Sequence, residues 1–175
     1  MRRGAHKLVV MRHGQAEPLA STDANRELTG KGRADCRAAA VDIADFFAAS
    51  GSGEELQAIY HSPFVRTTQS ALELGEALSA YMPQPLLLPE DNLLGERTPQ
   101  QVLAWLESLG NAHAVYISHQ PLVSSLLGYL LDADSSRLAG RDYPMSPASY
   151  ACLEFDTCCA GGFTLAGLYH PGRAH

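Results

Sequence analysis

The sequence is poor in charge and contains no long apolar run. Charged residues make up 18% of its 175 positions, against 46% for apolar residues. This composition excludes the low-hydrophobicity, high-charge class of disordered chains. No apolar run approaches the roughly 18 residues that a membrane span needs. The formal net charge of −6 argues against a general binder of nucleic acid or of anionic membranes, because such partners attract basic proteins.

Cysteine is also scarce. The four cysteines are Cys36, Cys152, Cys158 and Cys159, and no pair has the spacing of zinc ligands. The adjacent Cys158 and Cys159 are poor candidates for bridging each other. Such a set is typical of free thiols in a reducing cytoplasm, which is the location that we expect.

Short β-rich runs alternate with helical patterns, which is typical of an α/β domain. Because no linker or repeat interrupts the alternation, we expect one domain over residues 1–175. The predicted strands are 7–11, 56–60, 85–88, 114–118, 150–155 and 163–169, and the last two form an antiparallel pair. The predicted helices are 29–49, 62–79, 98–109 and 121–131. Capping patterns support the first three, with Thr29, Ser62 and Thr98 as the N-caps.

Unusual polar residues follow three of the predicted strands. Arg12-His13-Gly14 comes after the first strand, Arg66 lies just beyond the second, and His119 follows the fourth. Because the carboxyl ends of parallel strands share one edge of a sheet, where ligands bind, these side chains are expected to meet. Two helix N-termini at the same edge add partial positive charge and free N–H donors. Such a pocket suits a small dianion such as phosphate.

Each of these residues also has a simpler interpretation. Taken alone, His119 is compatible with a helix cap and Arg66 with a surface ion pair. Their joint placement with Arg12 and His13 is what favours a site. The remaining histidines without such a placement are expected to pack or to face solvent, and these are His6, His113, His170 and His175.

Four sequence blocks occur in the order of a known family. They are VMRHG at 10–14, LT at 28–29 followed by Gly32, SPFVR at 62–66 and ISHQPLV at 117–123. Together they resemble the histidine phosphatase (phosphoglycerate mutase-like) superfamily, and most closely its short bacterial, SixA-like phosphohistidine phosphatases. The resemblance implies a three-layer α/β/α fold, with a mostly parallel central sheet and an antiparallel C-terminal strand. Only 52 residues separate Arg66 from His119, so we expect no lid insertion.

By this resemblance, His13 is the nucleophile and transiently carries the phosphoryl group as phosphohistidine. Its attacking nitrogen must be neutral, so the other ring nitrogen is expected to donate to a backbone carbonyl. Arg12 and Arg66 would grip the phosphoryl oxygens, and His119 would steady the charge on the transferring group. The resemblance implies no metal and no cofactor, because phosphoryl transfer depends mainly on positioning and electrostatics.

Three further residues are predicted to contact substrate. Gly14 permits close backbone approach, and Ser62 lies at the second strand end. Arg26 matches an arginine that precedes Leu-Thr in SixA-like chains. The alternative for Arg26 is a surface arginine paired with Glu27 or another acid.

The general acid is the main departure from the larger members of the superfamily. Glu90 and Glu96 are the possible general acids, but neither lies in the Gly-x-x-Glu-Gly setting of those enzymes. A P–N bond is labile, and its imidazole leaving group needs less help than an alkoxide. Weak acid machinery therefore favours a phosphohistidine substrate over a sugar phosphate.

These observations leave three hypotheses of different kinds. The leading hypothesis is a cytoplasmic bacterial phosphatase that acts on a phosphohistidine-bearing protein of a phosphorelay or phosphotransferase system. The second is a small-molecule phosphomonoesterase of the same fold. The third is a non-catalytic phosphoprotein-binding module, which the presence of both His13 and His119 disfavours. Neither nucleic acid nor a membrane is expected as a partner.

Overall fold

The strands assemble into one six-stranded sheet. The computed structural model describes residues 6–49, 55–110, 113–136 and 138–172. In chain order the strands are β1 (His6–Arg12), β2 (Ala58–His61), β3 (Leu86–Pro89), β4 (Ala114–Ser118), β5 (Tyr150–Phe155) and β6 (Phe163–Tyr169). Their order across the sheet is β3-β2-β4-β1-β5-β6.

The sheet is mostly parallel. The pairs β3–β2, β2–β4 and β4–β1 are parallel, whereas β5 is antiparallel to β1 and β6 is antiparallel to β5. After β1 the chain moves outward to β2 and β3, and it then returns to insert β4 between β2 and β1. The carboxyl ends of β1, β2 and β4 therefore lie side by side at one edge.

The helices cover both faces of the sheet, as predicted. They are α1 (Gly30–Ala38), α2 (Ala40–Ala48), α3 (Val65–Leu78), α4 (Pro99–Leu109) and α5 (Leu122–Asp132), with short 3₁₀ turns η1 (Asp23–Asn25) and η2 (Asp91–Leu93). Helices α1 to α3 pack on one face and α4 and α5 on the other. The change of face coincides with the reversal of direction after β3, as right-handed crossovers require.

Strand β1 shows why this sheet is buried on both sides. Val9 and Met11 belong to the core beneath α1 to α3, whereas Leu8 and Val10 belong to the core beneath α4 and α5. Successive side chains point to opposite faces of a strand, so a strand covered on both faces is apolar throughout. Each such fully buried side chain stabilises the fold by about 1.5–3 kcal/mol.

Two features of the predicted helices are wrong. The helix expected over 29–49 is divided at Ala39 into α1 and α2, although its predicted cap is confirmed, since Thr29 Oγ1 accepts from Gly32 N at 3.0 Å. Helix α3 has Phe64 rather than Ser62 at its N-cap. The Ser62 hydroxyl cannot serve as the cap because it contacts His119 and Thr67 instead. The capping box of α4, with Thr98 at the cap, is confirmed.

Candidate functional site

His13 immediately follows β1, at the edge where the parallel strands end. Its backbone N–H donates to Ser118 O at 3.1 Å, and its carbonyl accepts from Ala148 N at 2.9 Å. The ring Nδ1 lies 2.7 Å from Gly14 O. The residue is only 7% exposed, so both the backbone and the ring are fixed.

These contacts set the tautomer of His13. A carbonyl oxygen can only accept, so Nδ1 carries the proton and Nε2 keeps a lone pair. Arg66 Nε donates toward that lone pair at 3.3 Å. The pKa of His13 is lowered to about 3, mainly by burial and in smaller part by the neighbouring His119 and Arg66, against the Gly14 contact, which raises it. The ring is therefore a neutral imidazole whose Nε2 is available as a nucleophile.

Two arginines approach this imidazole from different elements. Arg66, in the first turn of α3, is buried and lies over the Phe64 ring, with its Cζ 5.0 Å from the ring centroid. Arg12, the last residue of β1, donates from Nη1 to Met145 O at 3.0 Å. Burial and the proximity of Arg66 lower the pKa of Arg12. The buried Arg12 Nε has no hydrogen-bond partner among the described residues, so it is free to donate to a ligand.

His119 follows β4 and faces His13, with ring centroids 5.3 Å apart. Its Nε2 lies 2.6 Å from Ser62 Oγ, and its ring contacts the Phe64 ring edge-on at 5.1 Å. Gly95 packs against it so closely that a Cβ there would lie 3.4 Å from His119 Cβ. Burial and Arg66 lower the pKa of His119 to about 4. Within the described chain, its buried Nδ1 also lacks a hydrogen-bond partner.

Gly14 is held by close packing against the start of α1. A Cβ on Gly14 would lie 2.7 Å from Gly32 O and 2.9 Å from Cys36 Sγ, so no side chain fits there. Its amide donates to Ser70 Oγ at 3.0 Å. The predicted substrate contact of Gly14 stays a prediction, and so does that of Ser62, whose hydroxyl is fully buried behind His119 and Thr67.

The remaining predicted residues form no hydrogen bond with His13 or His119 among the described contacts. Glu90 caps η2, and its Oε1 accepts from the backbone and side chain of Asn92 at 3.0 and 2.7 Å. Glu96 is exposed beside Gly95. Arg26 donates to Glu17 O at 2.7 Å and to Asp23 Oδ1 at 3.1 Å. Its acid partner is therefore Asp23 rather than Glu27.

Sequence reasoning missed Asp23, which connects Arg26 to the cluster. Asp23 accepts from Arg66 at both its carbonyl and its carboxylate. It is one of 19 acids in the chain and lies in an irregular segment, so no local pattern distinguishes it. The segment before β5 was also missed, although its Met145 and Ala148 backbone groups hold Arg12 and His13.

Two kinds of feature are absent from the described residues. No group of three or more His, Cys, Asp or Glu side chains among them is placed to hold a metal ion. Within the same ranges, no helix has both the length and the apolar character that crossing a membrane requires.

Comparison with known proteins gives one sequence relative and several structural ones. No protein-family model matches the chain. The chain is 32% identical over 137 residues to phosphohistidine phosphatase SixA of Escherichia coli (strain K12), which covers 74% of this chain and 76% of that protein. A structure of the protein histidine phosphatase SixA complexed with tungstate has a TM-score of 0.73 and 26% identity, covering 94% of this chain and 97% of its own. A mycobacterial glucosyl-3-phosphoglycerate phosphatase shares the fold alone, with a TM-score of 0.66, 16% identity and coverage of 93% and 97%.

Proposed function

The chain belongs to the histidine phosphatase superfamily as a SixA-like phosphatase, and on this premise we propose that it removes phosphoryl groups from phosphohistidine on another protein. The observation that carries the proposal is the fixed tautomer of His13. Its Nδ1 proton is held by Gly14 O, and its Nε2 lone pair faces Arg66. A neutral imidazole beside two arginines is arranged to accept a phosphoryl group.

The proposed reaction has two steps, both at His13 Nε2. In the first step the Nε2 lone pair attacks phosphorus, the P–N bond to the substrate ring breaks, and that ring leaves with the electron pair. In the second step water attacks the phosphohistidine of the enzyme, which releases phosphate and restores His13. Arg66 Nε, which donates to His13 Nε2 in this structure, turns to a phosphoryl oxygen once that lone pair is engaged.

Positive charge and free donors supply the stabilisation that this transfer needs. Arg12 Nε and His119 Nδ1 are the buried polar atoms of the cluster that lack hydrogen-bond partners among the described residues. A buried polar atom left unpaired costs about 1–3 kcal/mol, and a phosphoryl oxygen would satisfy an N–H donor at either position. We therefore assign both side chains to the equatorial oxygens of the transferring group.

The surroundings of the cluster favour a phosphohistidine carried on a protein. Glu90 accepts from Asn92 in its own turn and Glu96 is exposed, and no hydrogen bond among the described residues joins either carboxylate to His13. Between α3 and β4 the described chain forms only β3, η2 and α4, which leaves no inserted lid over the site. We propose a phosphotransfer protein of a bacterial phosphorelay or phosphotransferase system as the substrate, and the cytoplasm as the location.

The direct test compares two classes of substrate. A histidine-phosphotransfer domain phosphorylated on histidine should be turned over with a kcat/KM at least 10-fold above that of any phosphomonoester in a panel of sugar phosphates and p-nitrophenyl phosphate. His13→Ala is the control for contaminating phosphatase. A panel member hydrolysed better than the phosphorylated domain would replace this proposal with a small-molecule phosphomonoesterase. Binding of the domain without turnover would replace it with a binding module.

The covalent step has its own test. Acid quenching during turnover destroys phosphohistidine, whereas alkaline quenching preserves it, so labelled phosphate should remain on the chain only after alkaline quenching. The label should be absent from His13→Ala. Label that survives acid, or that persists in His13→Ala, would contradict attack by this imidazole.

The double substitution of Glu90 and Glu96 by Gln tests whether an acid is needed. We expect hydrolysis of a phosphoramidate to be spared more than hydrolysis of a sugar phosphate, because the nitrogen leaving group departs without the help from an acid that an alcohol requires. Paired kcat values for the two substrates measure this. Equal losses would show that an acid assists both reactions.

A further inference from the structure

The carboxylate of Asp23 is held at the outer end of Arg66, the arginine that also contacts the nucleophile. Its Oδ2 accepts from Arg66 Nη2 at 3.0 Å, and its backbone carbonyl accepts from Arg66 Nη1 at 2.7 Å. The other carboxylate oxygen, Oδ1, accepts from Arg26 Nη1 at 3.1 Å. Both carboxylate oxygens are thus held by arginines.

The guanidinium of Arg66 connects Asp23 to His13. Asp23 accepts from Nη1 and Nη2 at the end of this planar group, and His13 is contacted by Nε. His13 Nε2 accepts from Nε and Asp23 Oδ2 accepts from Nη2. The Arg66 side chain is 7% exposed, whereas that of Asp23 is 62% exposed. The carboxylate is therefore exposed at the outer end of Arg66, joined to the attacking nitrogen only through this guanidinium.

Asp23 carries a negative charge and has no proton to give. Hydrogen bonds from Arg26 and Arg66 lower its pKa. These two arginines, one on its own segment and one on α3, are the charged groups that face it. An ionised carboxylate cannot protonate an alcohol leaving group, but it can accept a hydrogen bond from an N–H.

We propose that Asp23 is a specificity-determining residue that accepts the ring N–H of the departing imidazole; this rests on the proposed function. A phosphorylated imidazole that carries its phosphoryl group on one nitrogen and hydrogen on the other has a positive charge on its ring. When its P–N bond breaks, the electron pair of that bond stays with the ring. The ring then leaves as neutral imidazole and keeps its N–H, so the enzyme supplies no proton. A carboxylate beside the ring stabilises the cationic form and thereby favours this leaving group.

The same carboxylate gives no such help to other phosphate compounds. A phosphomonoester needs a proton for its alcohol, which Asp23 does not provide, and its leaving group carries no positive charge for the carboxylate to stabilise. The anionic phosphoryl group is common to both kinds of substrate and is not what Asp23 distinguishes. Asp23 would therefore recognise the leaving group of the substrate, whereas the arginines recognise its phosphoryl group. This division explains how a site with no acid at hand can hydrolyse one class of phosphate compound efficiently.

The test uses Asp23→Asn, which keeps the side-chain shape and one acceptor oxygen but removes the charge. The ratio of kcat/KM for a phosphohistidine protein to that for p-nitrophenyl phosphate should fall about 10-fold or more, the weight of one charged hydrogen bond. Tungstate affinity, measured by calorimetry, should not weaken. Asp45→Asn, which neutralises an exposed carboxylate on α2, is the matched control and should leave the ratio unchanged.

Two outcomes would overturn the proposal. An unchanged ratio would show that Asp23 does not distinguish leaving groups. Parallel losses on both substrates, together with weaker tungstate binding, would reduce Asp23 to a residue that only positions Arg66. If the unaltered protein does not hydrolyse phosphohistidine, the proposed function itself fails, and that result is distinct from either of these.

Discussion

The adjacent strands β1 and β4 carry a pair of histidines at each end. At the carboxyl end His13 and His119 have ring centroids 5.3 Å apart. At the amino end His6 and His113 have centroids 6.0 Å apart. The two pairs are similar in spacing, so the spacing of two imidazoles does not by itself make a site.

The surroundings of the two pairs differ. The amino-end pair is enclosed by apolar rings, with Phe155 5.4 Å from His6 and Phe47 6.2 Å from His113. The nearby cation, Lys7, is satisfied by the Phe46 carbonyl. The carboxyl-end pair instead has arginines, a carbonyl that fixes one tautomer, and the beginnings of α3 and α5. His6 and His113 pack among apolar rings, which is one of the two roles that the sequence predicted for them, whereas His13 and His119 have the charged and hydrogen-bonding neighbours that a reaction needs.

The largest expected effect is the difference in turnover between substitution of His13 and substitution of His113. His13→Ala removes the nucleophile, so turnover should fall by about 10⁴-fold or more, while tungstate still binds. His113→Gln should lower the free energy of unfolding and leave kcat of the folded protein unchanged. Steady-state kinetics and calorimetry on both variants provide the measurement. Ordinary turnover by His13→Ala would end the distinction between the two pairs.

The next largest effect is the difference in anion affinity between substitution of Arg66, at the carboxyl end of the strands, and substitution of Lys7, at their amino end. Arg66→Ala should weaken vanadate binding by about 2–3 kcal/mol, because charge-assisted contacts to the oxyanion are lost. Lys7→Met removes the same unit of charge from the amino end and should leave the affinity unchanged. Inhibition constants for vanadate measure both. Similar losses in the two variants would mean that net charge, and not the position of Arg66, governs anion binding.

A pH experiment asks whether the carboxyl-end imidazole is held neutral. The pKa of His13 is lowered to about 3 in the folded protein, while an unfolded chain binds this proton below about pH 6.5. Stability should therefore be lost as the pH falls from about 6.5 toward 3. His13 should account for about 2 kcal/mol between pH 7 and pH 5. Urea unfolding of the unaltered protein and His13→Asn at these two pH values tests this, and equal losses would contradict it.

The smallest effect concerns the hydroxyl that holds His119. Ser62→Ala removes the 2.6 Å contact to His119 Nε2, which should cost about 1 kcal/mol of transition-state stabilisation, or roughly 5-fold in kcat. Ser79→Ala, which removes an exposed hydroxyl at the end of α3, is the matched control. No difference between the two variants would show that packing by Phe64 and Gly95 is sufficient to orient the ring.

The sequence predicts this fold best where burial imposes a pattern. The bounds of β4, β5 and β6 match the predicted strands, and β1 differs by one residue at each end. Runs covered on both faces must be apolar and must stop where polar junction residues begin. The ends of the parallel strands share one edge of the sheet. Knowing where each strand ends was therefore enough to predict that Arg12, His13, Arg66 and His119 meet there.

The predictions that were wrong or missing concern features that depend on contacts between residues far apart in the sequence. The division at Ala39 lies within a run of three alanines, so no local breaker marks it. Ser62 has the local pattern of a cap, but His119, 57 positions away, takes its hydroxyl instead. Asp23 becomes important only because Arg66 reaches it across 43 positions. A local sequence pattern does not indicate which distant residue a side chain will contact.

The support of the nucleophile has a consequence for the making of this protein. The backbone of Arg12 and His13 is held by Ser149 and Ala148, at the entry to the antiparallel strand β5. During synthesis His13 leaves the ribosome well before Ala148 and Ser149, which anchor this part of the chain. Nascent chains that lack these two residues should contain Arg12-His13-Gly14 but have no activity. Catalytic activity would thus be acquired only after the segment that precedes β5 has been synthesised.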